Sequence, residues 1–130
     1  MNVYDYAHAL SKAIRASSEY RDFKKALENL EKDSAAKEML SDFRKNQWEL
    51  QQQKLSGQEI SSEQEQRLSR AWEIIKLNMV IKEYLETEYR FSVMLADIQK
   101  IIGEPLEEVA ALEKEKTRPE QSQSEEQQKE

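Results

Sequence analysis

The chain has 130 residues, 38% hydrophobic and 35% charged, with 2 glycines, 2 prolines and no cysteine. That length suits one domain, and so few turn residues exclude a sheet-rich fold, which needs a turn about every eight to twelve positions. The absent cysteines exclude a disulfide framework, a thiolate metal site and a thiol nucleophile.

Asn2 can cap a first helix, after which Val3, Tyr6, Ala7, Leu10, Ala13 and Ile14 share one face at three- and four-residue spacing. This helix is expected to end near Ala16, where Ser17 and Ser18 offer a break and a new cap. A second helix over residues 18–32 would bury Tyr20, Phe23, Ala26, Leu27 and Leu30. Asp33 and Ser34 open a third, reaching about Leu55 on an apolar line of Ala36, Met39, Leu40, Phe43 and Leu50. Gln47 stands within that line and Trp48 beside it.

From residue 34 to 102 the chain has one glycine, Gly57, and no proline. Gly57 therefore marks the clearest turn, free to take the left-handed conformation that closes a helix. Ser62 with Glu65, or Ser61 with Gln64, supplies a capping box for the next helix. The pattern then continues to Ile102, but its stripe changes face. Leu68, Trp72, Ile75 and Met79 form one line; Leu77, Ile81, Leu85, Leu95, Ile98 and Ile102 form another. Where they overlap, residues 74–81 are apolar nearly all round, which implies burial on several sides. Asn78 lies within the crossover and could cap a new helix, so a kink or break is expected there. Gly103 and Pro105 are expected to end the helical body, giving a domain over residues 1–106. Residues 107–130 would then be a short amphipathic segment through Val109 and Leu112 and a disordered acidic tail.

The charge follows this division. From Glu104 onward there are nine acidic and four basic residues, so most of the formal net charge of −6 sits there. The body, with 17 acidic and 16 basic side chains, lacks the basic stripe that phosphate binding needs. Direct nucleic-acid binding is disfavoured, although Lys24-Lys25 and Arg44-Lys45 are local basic pairs. No signal peptide is visible at Met1–Tyr6 and no apolar run approaches the ~20 residues of a membrane span, so a cytoplasmic protein without membrane contact is expected.

Two stripes on different faces ask for two packing partners. An unbroken helix over residues 62–102 would approach ~60 Å at 1.5 Å per residue, against a diameter of roughly 35 Å for a compact chain of about 100 residues. Phe91, Leu95 and Ile98 would then be left bare, and a homo-oligomer, most simply a dimer, would cover them. Phe43, Gln47 and Trp72 complete the candidate interface, Gln47 either setting helix register from within the stripe or reaching solvent at its edge. No catalytic, cofactor or metal set emerges: His8 is the only histidine and lacks a partner nucleophile, and Glu83, Glu86 and Glu88 are interleaved with Lys82 and Arg90 as on a solvated face.

The run Ala13-Ile14-Arg15-Ala16-Ser17-Ser18-Glu19-Tyr20, then Asp33-Ser34-Ala35-Ala36, Phe43 and Gln47, resembles the YlbF/YmcA family of small helical bacterial proteins. The Gly57 loop and the segment Tyr84-Leu85-Glu86-Thr87-Glu88 to Ile98 continue the likeness, which covers residues 3–106 and is nearest the YheA branch. The resemblance implies an all-helical, oligomeric, cytoplasmic protein of Bacillus-type bacteria without catalysis of its own. It also implies a link to competence, biofilm formation and sporulation, through a complex associated with a messenger-RNA-maturing ribonuclease. Better-studied members hold iron–sulfur clusters on cysteines, which this chain lacks.

The expectation is an all-α antiparallel bundle of four or five long helices. Its role would be a non-enzymatic adaptor that self-associates and docks onto another protein. An RNA-associated accessory protein acting with a ribonuclease is the alternative.

Overall fold

Five short polar side chains start five helices. In a computed structural model, which describes the backbone of residues 1–128 and the side chains of residues 1–116, these are α1 (Val3–Ala16), α2 (Ser18–Lys32), α3 (Ser34–Leu55), α4 (Ser62–Ile75) and α5 (Met79–Gln128). The all-α expectation holds, with no strand among the described residues. Asn2 caps α1 in a reciprocal box with Asp5. Ser17 accepts from the Tyr20 amide, and Asp33 accepts from the Ala36 amide at 3.0 Å. Of the two boxes available to α4, Ser61 and Gln64 form the one used. Each cap satisfies an amide that the first helical turn leaves without a partner.

The expected break at Asn78 is present. The last turn of α4 closes with the Leu77 amide on the Ile74 carbonyl and the Asn78 amide on the Ile75 carbonyl. Asn78 Oδ1 then accepts from the amides of Val80 at 3.0 Å and Ile81 at 3.1 Å, which starts α5. Residues 62–102 are thus two helices.

Residues 1–92 form one unit, and the chain from Val93 onward forms a second. Within the first, α3 and α4 run antiparallel through the Gly57 turn. Gln53 meets Gln64 near the turn, and Phe43 stacks on Trp72 farther from it, with ring centroids 5.5 Å apart. The early part of α5 packs on α2, where Phe23 lies 5.7 Å from Tyr84 and 5.4 Å from Phe91. The core consists of Ala26, Leu30, Ala36, Leu40, Phe43, Ile75, Ile81 and Tyr84. Thr87 is buried among these helices, and its hydroxyl donates back to the carbonyls of Glu83 and Tyr84 at 2.8 and 3.0 Å, which removes the cost of an unpaired polar group.

Two expectations are corrected. Residues 74–81 are not buried all round: Ile75 and Ile81 are in the core, while Ile74, Leu77 and Met79 face solvent. The break at Asn78 lets α5 turn one side of the apolar run inward and leaves the other side free. The helical body also does not stop at Gly103 and Pro105, because α5 continues through both. Gly57, at φ +83°, is the glycine in the left-handed region; Gly103 is not. Pro105 has no N–H for the Ile101 carbonyl, and Ile101 is exposed, so water can satisfy it. The backbone of residues 107–128 belongs to α5. Much of the tail expected to be disordered falls on side chains 117–130, outside the described residues.

The two glycines therefore respond oppositely to alanine. A Cβ at either meets nothing within 4 Å, so only the backbone term differs. Gly57→Ala is expected to cost about 1–2 kcal/mol, the strain of a left-handed alanine. Gly103→Ala is expected to raise helicity and to favour the helix by about 0.5–1 kcal/mol. Thermal unfolding and far-UV circular dichroism of both variants check this. A loss of helicity in Gly103→Ala would mean that the helix ends there after all.

Candidate functional site

α3 and α4, antiparallel on either side of Gly57, leave an open groove of about 520 Å³ between them and the start of α5. Phe43, Gln47 and Trp72, three of the six candidate interface residues, line it together with Leu40, Leu68 and Arg44. Helical spacing explains the convergence: residues 40, 43, 44 and 47 of α3 share a face, as do 68 and 72 of α4. Phe43 is only 9% exposed and forms the floor, whereas Trp72 is 37% exposed and forms a wall. Gln47 reaches solvent, so of its two possible roles it takes the one at the edge of the stripe.

One edge of the groove is polar. Arg44 bonds Glu88 at 3.2 Å and lies 5.6 Å from the centre of the Tyr84 ring. Partial burial works against the Arg44 charge, but Tyr84 and Glu88 outweigh it and raise its pKa above the usual arginine value. Burial, together with Glu88, raises the pKa of the Tyr84 hydroxyl above that of an ordinary tyrosine. This cluster joins α3 to α5 across 44 residues of sequence, and no local motif announced it. An apolar floor, an aromatic wall and a charged rim offer room for an apolar group.

The other three candidate residues lie elsewhere. Phe91 is not bare: Phe23 and Tyr20 of α2 cover it, the latter at 6.0 Å. The α4–α5 break allows this, because it brings the first turns of α5 back over α2. A charge at Phe91 would therefore disturb core packing as well as any interface. Leu95 and Ile98, in the second unit, are half-buried. Exposed apolar surface lies instead at Val3, Tyr4 and Tyr6 of α1, at Leu77 and Met79, and at Ile102, Leu106, Val109 and Leu112 of α5. The α1 stripe was visible as a pattern; its exposure was not.

Among the described residues no group of three or more His, Cys, Asp or Glu side chains could hold a metal ion, and no helix is long and apolar enough to cross a membrane.

The model of a family described as "Control of competence regulator ComK, YlbF/YmcA" matches residues 3–107. A UPF0342 protein of Caldicellulosiruptor bescii is 44% identical over 106 residues, covering 82% of this chain and 89% of that protein. The UPF0342 protein BpOF4_11360 of Alkalihalophilus pseudofirmus is 44% identical over 108 residues, covering 83% and 92%. A solved structure, a protein of unknown function (DUF964) from Bacillus stearothermophilus, is 27% identical with a TM-score of 0.65, covering 82% of this chain and 93% of that one. With a match to that family model over residues 3–107, the chain belongs to the YlbF/YmcA family.

Proposed function

We propose that this protein is a non-enzymatic helical adaptor of the cytoplasm, which self-associates and presents the α3–α4 groove to a second protein in its family's regulatory pathway. One observation carries this reading: large apolar side chains stay open to solvent along α1, at the α4–α5 corner and on α5, with Leu77 82% exposed. Surface of that kind is a feature of interaction sites. The family's link to control of the competence regulator ComK supports a regulatory setting, and the residue pattern supports a place near the YheA branch. The RNA reading has less support, since Arg44, one of its basic residues, is engaged by Glu88.

Light scattering of the full chain tests self-association, and a mass of twice 15.3 kDa is expected. A single-chain mass at the highest soluble concentration would remove it. In a Bacillus-type host lacking the protein, competence should change. Unchanged transformation with a dimeric protein would remove the pathway and leave the scaffold.

A further inference from the structure

Helix α1 has no buried residue. At 14 residues it is at the length where a helix alone in water is marginal, so it depends on packing of its apolar sides. Leu10, Ser11 and Ile14 are its half-buried residues and mark the side turned toward the rest of the first unit, residues 1–92. Another side stays open. Asn2, Tyr6, Ala9 and Ala13 follow one another at intervals of four, three and four, which is the spacing of a coiled-coil seam. All four are exposed, Tyr6 by 61%. Val3, 81% exposed, and Leu10 border this seam on one edge, and Asp5 and Lys12 border it on the other.

These borders decide what can lie on the seam. Asp5 and Lys12 are seven residues apart, roughly 10 Å along one helix, too far to pair within a chain. In an antiparallel pair each edge of a helix faces the same edge of the other helix. When Tyr6 sits against Ala9 of a second copy, Asp5 therefore meets Lys12 of that copy, and Val3 meets its Leu10. Two-fold symmetry repeats each contact. Sliding one copy by seven residues keeps a seam but sets Asp5 against Asp5 or Lys12 against Lys12. A parallel pair stacks Tyr6 on Tyr6 and leaves Asp5 and Lys12 opposite Leu10 and Ser17. Of these arrangements the first alone joins large side chains to small ones and unlike charges to each other.

We infer that α1 pairs antiparallel with α1 of a second copy in that register, about a two-fold axis passing between residues 7 and 8. Burial of Val3, Tyr6 and Ala9 supplies the affinity, and the contacts of Asp5 with Lys12 fix direction and register. Asp5 Oδ2 accepts from the Asn2 amide at 3.1 Å, which holds the carboxylate at this edge before the copies meet. The contact is isologous and closes at two chains. This inference rests on the self-association proposed above and specifies its surface.

The native chain has no cysteine, so a single introduced thiol reports on the pairing without an intrachain bond. Full-length Ala9→Cys and Ala16→Cys, both at exposed positions, are each treated with a short bismaleimide. Across the two-fold, the thiols at position 9 would lie about three residues, roughly 4.5 Å, apart along the axis. Position 16 lies beyond the end of the other copy's helix. Ala9→Cys is expected to give several-fold more linked dimer than Ala16→Cys. Lys12→Glu, a second exposed change, sets like charges together at that edge. It is expected to raise the dissociation constant several-fold at low salt and to reverse the salt response, since salt weakens the native contact and relieves the repulsion in the variant. In a chain that light scattering shows to be dimeric, linking at position 16 as strong as at position 9 would mean a parallel pair. Absence of linking at position 9 would mean a different surface, and an unchanged salt response in Lys12→Glu a contact without Asp5. Each of these overturns the pairing and leaves self-association standing. A monomer overturns both.

Discussion

Ile81→Ala is expected to destabilise the protein by about 2–5 kcal/mol, the range for truncating a fully buried aliphatic side chain. Ile81 is 0% exposed and sits three residues into α5, directly after the Asn78 cap. It shares the core with Ile75 and Tyr84 and thereby ties the α4–α5 corner to the rest of the first unit. Rigid helices on either side cannot close over a lost side chain, so the cavity adds to the lost transfer free energy. Against a typical total of about 5–15 kcal/mol, that is a large share. Urea unfolding at fixed protein concentration measures it, with Ile81→Val, expected to cost about 0.5–1.5 kcal/mol, as the graded control. An Ile81→Ala loss no larger than about 0.8 kcal/mol per carbon removed would show that the site collapses freely and leaves no cavity term.

Phe43→Ala should cost about 3–5 kcal/mol and should also open the groove. Phe43 is both core and floor, and its ring stacks on Trp72 at an interplanar angle of 30°. Aromatic pairs of this geometry add about 0.5–1.5 kcal/mol beyond the area they bury. In a Trp48→Phe background Trp72 is the single remaining tryptophan, and its emission should move to longer wavelength as water reaches the exposed ring face. Unchanged emission together with a large stability loss would mean that Trp72 follows the collapsing wall, and that the groove is not preorganised for a ligand side chain.

Capping and periodicity read correctly from the chain because they are local. Asn2, Ser17, Asp33 and Asn78 act on amides two or three residues away, and Gly57 acts on its own φ. Buried positions such as Ala36, Leu40 and Phe43 were legible for the same reason, since a 3.6-residue period shows which side chains share a face. The period does not show what that face meets. Phe91 was expected to be bare and is covered by Phe23, a residue 68 positions away in a different helix. The Arg44–Tyr84–Glu88 cluster likewise joins α3 to α5 and left no mark on either segment alone.

The sequence by itself therefore marked the helices, the starts of the first three, the turn at Gly57, a kink or break near Asn78 and the absence of cysteine chemistry. The structure selected Ser61 and Gln64 to start α4 and made residues 62–102 two helices. Only the tertiary structure decided which apolar faces are spent inside the chain and which remain open. It moved the open surface from Phe91 to α1 and to residues 102–112, and carried α5 past Gly103. The reason is physical. Hydrogen bonds within a turn depend on neighbours in sequence, whereas burial depends on which helices come together, and the same stripe serves equally well for a core or for an interface.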